Sequence, residues 1–191
     1  VSEPVALLGG RLRQPDARSC GASALVAARM LVDADYAAAV TPGVFARDVL
    51  ATHRRVTGLT GHGLQVPWPR ALGTPPWAVA RELSALARTG AAAARYATRI
   101  AVLRPGTAFD RVRTAVGSGR SAALYVGDRW CPRHVVLALP ITPGAPAVPH
   151  LRVYEPASGR VVEVTRESVV GHRLGLAGWQ RLWLVVTPDD R

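Results

Sequence analysis

Gln14-Pro15-Asp16-Ala17-Arg18-Ser19-Cys20-Gly21-Ala22 is the stretch on which the reading of this chain turns. It leads into Ser23-Ala24-Leu25-Val26-Ala27-Ala28-Arg29-Met30-Leu31-Val32, where Ala24, Ala28 and Leu31 recur at helical spacing. The spacing predicts a helix over about 20–32, with Ser19 as its cap. A cysteine attacks as thiolate, and a helix N-terminus favours that form, so Cys20 stands where a nucleophile gains most. Gly21 and Ala22 are expected to leave space for a substrate carbonyl. Gln14, six residues upstream, is expected to swing its amide beside the thiol. Paired with the Cys20 backbone N–H, it would form an oxyanion hole.

Downstream, positions 41–75 carry Thr41-Pro42-Gly43, Gly61-His62-Gly63 and Pro67-Trp68-Pro69, which read as loops around a short helix near Val44–Leu50. Pro75-Pro76 opens a second clear helix over 76–88, with Trp77, Ala80, Leu83 and Ala87 on one side. A strand is expected at 98–103, and a helix at 108–116 that ends at Gly117-Ser118-Gly119. Beyond it the β-branched runs 121–126, 134–141, 151–154, 160–164 and 181–187 are separated by Gly, Pro or Asp. Pro140 marks an edge or an early stop in the second of them. Helices first and an antiparallel sheet afterwards is an α+β order. One domain over 1–191 is expected, with a helical half over about 14–118 and a sheet half over about 119–188.

A thiol needs a base. His134 opens the run His134-Val135-Val136-Leu137-Ala138-Leu139, which puts its ring at the mouth of the sheet. About twenty residues on, Val153-Tyr154-Glu155-Pro156-Ala157-Ser158-Gly159 ends a strand on a carboxylate just before a turn. A carboxylate there is suited to orient the imidazole by accepting a proton from its other nitrogen. Asp128, six residues before His134, is the alternative orienter.

Gln-(five residues)-Cys-Gly, then His leading an apolar strand, then acidic-Pro-x-x-Gly, resembles papain-like cysteine peptidases. The pattern is most similar to the bacteriocin-processing, double-glycine-leader peptidases and their relatives, from Gln14 to about Pro188. The resemblance implies a papain-like fold with the active site in the groove between helices and sheet. It also implies an oxyanion role for Gln14, nucleophile for Cys20, base for His134 and orienting carboxylate for Glu155. Those relatives generally carry Asp or Asn at the last position; Glu155 is a methylene longer. The expected reaction is hydrolysis of a peptide or other amide bond through a thiol acyl-enzyme, on a peptide or protein substrate, with no metal or organic cofactor. The same machinery also runs acyl transfer, deamidation and thioester cleavage. A catalytically inactive peptide-binding module of the same fold is the non-enzymatic alternative.

Composition narrows the rest. The 191 residues are 49% hydrophobic and 19% charged, enough for a sizeable core, and no apolar run reaches membrane-spanning length. The start Val1-Ser2-Glu3-Pro4 lacks signal-peptide layout, so the expectation is cytoplasmic, or secreted with a signal already removed. The net charge of +11 comes from 24 arginines and no lysine, scattered rather than in a block. No dedicated nucleic-acid binding is expected. Oligomeric state has no signature in the sequence. The five histidines (53, 62, 134, 150, 172) show no close-spaced ligand pair. Cys131, in Trp130-Cys131-Pro132-Arg133, reads as a loop thiol, and Trp130 equally as a cleft wall or a core filler. Trp77 reads as core and His62 as a loop residue. Leu7-Leu8-Gly9-Gly10 has the look of a double-glycine cleavage signal, but reads better as a turn entering the Gln14 loop.

Overall fold

The helix expected from the decisive stretch spans Cys20–Val32 (α1) in a computed structural model of the protein. The model describes residues 8–10, 12–58, 60–61, 63–64, 68–69, 73–89, 93–142 and 149–189. Alanine-rich and free of β-branched runs, the segment is a good helix former. Its burial is nearly all-round: residues 20–28 and Met30 are buried. An amphipathic surface helix would show one such face; α1 is instead the central helix of its layer. Asp33 ends it in extended conformation, and the Asp33 carboxylate accepts from Tyr36 N–H at 2.9 Å to start a helix at Ala34–Ala39 (α2) that the sequence did not announce. The short helix expected near 44–50 extends over Pro42–Thr57 (α3). Thr41 caps its first turn through Val44 N–H, with Pro42 at its first position. A two-residue ribbon follows, Thr60–Gly61 (β1) against Gly63–Leu64 (β2), and then Pro76–Thr89 (α4). His62 lies outside the described residues.

Six strands make the main sheet: Tyr96–Ile100 (β3), Ala122–Gly127 (β4), Pro132–Ala138 (β5), His150–Glu155 (β6), Arg160–Thr165 (β7) and Arg181–Pro188 (β8). The order β3-β8-β4-β5-β6-β7 is antiparallel throughout. Pro140 acts as an early stop, since β5 ends at Ala138 although it is an interior strand. Strand alternation supplies two cores. Ala123, Tyr125, Val135 and Leu137 face α1, α3 and α4. Ala122, Leu124, Val126, Val136 and Ala138 face Pro105–Gly117 (α5) and the unexpected short helix Arg166–Val170 (α6).

That second core corrects the expected division into a helical half before about 118 and a sheet half after it. α5 packs on β8 and α6, on the sheet face opposite α1, and β3 is already a strand of the main sheet. Periodicity shows that a helix has an apolar face but not which side of a sheet receives it. No helix among the described residues is long and apolar enough to cross a membrane.

Candidate active site

Cys20 is the first residue of α1, buried against the sheet. Ser19 stands at the cap position but makes no capping hydrogen bond; its hydroxyl instead reaches the Asp16 carbonyl at 3.5 Å. The expected side-chain cap is therefore absent. Among the described residues no side chain claims the first-turn N–H groups, which a helix leaves without internal partners. Gly21 does not open space for a substrate either. A Cβ there would meet Thr74 Cβ at 2.6 Å, so the glycine serves close packing of the Gly73–Pro75 segment on the helix start. Tyr125 Oη holds that segment by donating to the Thr74 carbonyl at 2.9 Å. Burial, and after it the neighbouring Cys20, keep the Tyr125 phenol well above its usual pKa.

His134 and Glu155 come together where two strands part. The β5–β6 ladder pairs only Leu137 with Tyr154 and Ala138 with Val153. Toward the site the start of β5 and the end of β6 run past this ladder. There His134 Nε2 meets Glu155 Oε1 at 2.7 Å, both side chains being 6% exposed. This leaves Nδ1 for Cys20, which lies close enough to help raise the His134 pKa. A break of register between Val126 and Gly127 lies opposite the start of β5. Gly127 permits it, because a Cβ there would sit 2.0 Å from the Cys131 carbonyl oxygen.

Burial alone would lower the pKa of His134, but hydrogen bonds and charge from Cys20 and Glu155 outweigh it and raise it to about 9. For Glu155, burial works upward, yet hydrogen bonds from His134, Ser158 and Ala157 hold it at about 2. Its Oε1 accepts from Ala157 N–H at 2.7 Å and its Oε2 from Ser158 N–H at 2.8 Å. The longer side chain thus closes its own turn while reaching the imidazole. With a pKa near 9 the His134 ring is charged near neutral pH, and Glu155 accepts from it.

The signs of these shifts set a pH window. His134 titrates in the folded protein above its ordinary 6.5, so its contribution to stability is complete below about 6.5 and lost as pH rises through about 9. Glu155 titrates below its ordinary 4.5, so its contribution is complete above about 4.5 and lost as pH falls through about 2. Thermal midpoints measured across pH are expected to show both limbs. His134→Asn should flatten the alkaline limb and Glu155→Gln the acid one. Limbs unchanged in both variants would refute the pairing.

Asp128 has a different task. Its Oδ1 accepts from Trp130 N–H at 2.7 Å and Cys131 N–H at 2.9 Å, and its Oδ2 from Arg133 at 3.2 Å. The Cys131 and Trp130 amides hold its carboxyl below the usual range. It braces the β4–β5 loop, and the carboxylate on His134 is Glu155. Trp130 is 72% exposed at that loop, which rules out the core reading, and Cys131 is a partly exposed free thiol. Trp77 is 38% exposed rather than core, set edge-on to Trp68 with ring centroids 5.1 Å apart.

Gln14 is positioned by the far end of the chain. Its N–H donates to the Pro156 carbonyl at 2.8 Å, and Tyr154 Oη donates to the Leu12 carbonyl at 2.8 Å. Gly159, at φ +71°, lets the Leu12 carbonyl approach where a Cβ would lie 2.6 Å away. These contacts tie the loop before Cys20 to the Glu155 turn. The Gln14 amide itself donates to the Asp16 carbonyl at 2.7 Å, and its buried Oε1 finds no donor among the described residues. No hydrogen bond joins it to Cys20 among the described contacts. The expected meeting of amide and thiol is not made in this state. Upstream, Leu8 is fully buried and Gly10 N–H turns back to the Leu8 carbonyl at 3.0 Å, so Leu8–Gly10 forms a turn anchored in the core.

No family model and no curated protein matches the chain. Solved structures give a similarity. The peptidase domain of Streptococcus ComA, a bi-functional ABC transporter involved in a quorum sensing pathway, is 14% identical over 94% of this chain and 98% of its own, with a TM-score of 0.43. The peptidase domain of Streptococcus mutans ComA is 13% identical over 94% and 99%, with a TM-score of 0.38. At these values nothing about the site is carried over from either. The helix-bound cysteine, the strand-borne histidine and the carboxylate beyond it stand on the geometry of this chain. They sit in an α+β layout of helices packed on an antiparallel sheet.

Proposed function

We propose that the protein is a cysteine peptidase that cleaves a peptide bond through an acyl-enzyme on Cys20. The observation that carries this is the buried His134–Glu155 pair beside Cys20, itself buried at a helix N-terminus with no side-chain cap. A satisfied core histidine needs no thiol on one nitrogen and a doubly anchored carboxylate on the other. In the first half-reaction the Cys20 thiolate adds to the scissile carbonyl carbon. The C–N bond then breaks as the His134 imidazolium gives its proton to the departing amine. In the second, His134 takes a proton from water, whose oxygen attacks the thioester, and the acid leaves with the thiolate restored. Glu155 holds the ring and stabilises its charged form. The helix-start N–H groups and the free hydrogen of the Gln14 amide are the donors for the oxyanion once substrate draws the loop in.

Thiol chemistry tests this without knowledge of the substrate. In the native protein at neutral pH, iodoacetamide should alkylate Cys20 well before Cys131, although Cys20 is the more buried, and His134→Ala should abolish the difference. Mass spectrometry of digested protein reads both sites. Faster labelling of Cys131 in the wild type would overturn the nucleophile assignment.

A further inference from the structure

A cavity of about 1080 Å³ lies away from Cys20, His134 and Glu155, none of which lines it. It lies between α4 and β3, an edge strand three positions from β5, about 14 Å away at usual strand spacing. Trp77, Ala80 and Ala94 supply apolar wall, and the exposed side chains of Arg81, Arg88 and Arg95 line it with positive charge. No ion pair joins these three arginines to an acidic group among the described residues. Among the described residues the carboxylate in the lining is Asp189, which is held by Arg99 at 2.6 Å.

The backbone of β3 adds a second, independent feature. Asp189 N–H donates to the Arg95 carbonyl and Ala101 N–H to the Trp183 carbonyl. With the register Tyr96↔Pro188 through Ile100↔Leu184, residues 95, 97, 99 and 101 turn their polar groups toward β8. Tyr96, Thr98 and Ile100 turn theirs outward. Tyr96 N–H is already taken by Ser84 Oγ at 2.8 Å, whereas Thr98 presents both N–H and C=O to the open edge. The one charge on β3, Arg99, is paired with Asp189, and an edge strand without a cover or a bulge invites another strand.

We infer that this groove is a second binding site, which takes an extended acidic segment of a polypeptide by strand addition to β3. Its main chain pairs with Thr98, and its carboxylates meet Arg81, Arg88 and Arg95. Backbone pairing supplies affinity, and the arginines select against basic sequences. A chain with net charge +11 assists the approach of such a partner. The site does not depend on the reaction proposed for Cys20.

A fluorescein-labelled peptide of alternating glutamate and valine, followed by anisotropy, serves as probe on the full chain. It should bind wild type and Cys20→Ser alike, and a lysine–valine version should not bind. The double variant Arg81→Glu/Arg88→Glu should weaken binding about tenfold or more. Thr98→Pro removes one outward N–H at an edge where proline is tolerated, and should weaken it about fivefold. Circular dichroism and the Cys20 alkylation rate are to remain as in wild type in each variant. Two results would overturn the proposal. One is undiminished binding in the arginine variant. The other is loss of binding when Cys20 is alkylated, which would place the peptide in the catalytic groove. If polyphosphate or single-stranded DNA binds as tightly as the peptide and Thr98→Pro has no effect, strand addition is wrong and the surface is merely cationic.

Discussion

Glu155→Gln should lower turnover of an activated amide substrate by about 10²- to 10⁴-fold, the upper figure being the loss on neutralising the equivalent carboxylate of a serine-protease triad. The loss falls short of that limit in so far as the imidazolium already exists at rest, as the raised pKa of His134, about 9, indicates. The substitution also costs stability, for a reason visible only in the turn. Both carboxylate oxygens accept: Oε1 from His134 and Ala157 N–H, Oε2 from Ser158 N–H. An amide has one acceptor oxygen, so its NH₂ must face a buried or half-buried donor whichever way it lies. Leaving such a donor unsatisfied costs about 1–3 kcal/mol. Turnover and urea unfolding of the same preparation separate the two effects, because a purely structural loss would lower stability without lowering the rate of the folded fraction. Wild-type turnover in Glu155→Gln would remove this residue from the catalytic account.

Gln14→Ala should slow acylation by about 10²- to 10³-fold, or roughly 3–4 kcal/mol of transition-state stabilisation. The effect belongs to the step in which the carbonyl oxygen acquires charge. Ground-state affinity and the alkylation rate of Cys20 should therefore change little. The resting structure sharpens the expectation. The Gln14 amide is engaged with the Asp16 carbonyl at 2.7 Å and not with Cys20 among the described contacts, so the loop has to turn for the amide to serve the oxyanion. Stopped-flow acylation with an activated ester, beside iodoacetamide labelling, distinguishes the two rates. A mutant that acylates as fast as wild type would show that the helix-start N–H groups suffice alone.

The sequence by itself determined the local elements and their chemistry. The alanine-rich run after Ser19 is a helix because nothing in it resists one, which puts Cys20 at its N-terminus. The β-branched runs are strands because alternation lets each bury two faces. Glu155-Pro156-Ala157-Ser158-Gly159 is a turn because Pro156 and the positive φ of Gly159 suit nothing longer. Even the pairing of His134 with a carboxylate at the next strand's end followed from strands adjacent in both sequence and space. Tertiary structure decided what depends on strand order and on which face receives a helix. β8 inserts between β3 and β4, so β3 becomes the open edge beside α4. α5 crosses to the side away from Cys20, Gly21 is committed to Thr74, and the Gln14 loop hangs on a β6 end more than 140 residues away. Periodicity reports that a residue is buried on one side of its element, but not what lies there. The neighbour is set by free-energy gains summed over the whole sheet, and these exist only once distant strands have met.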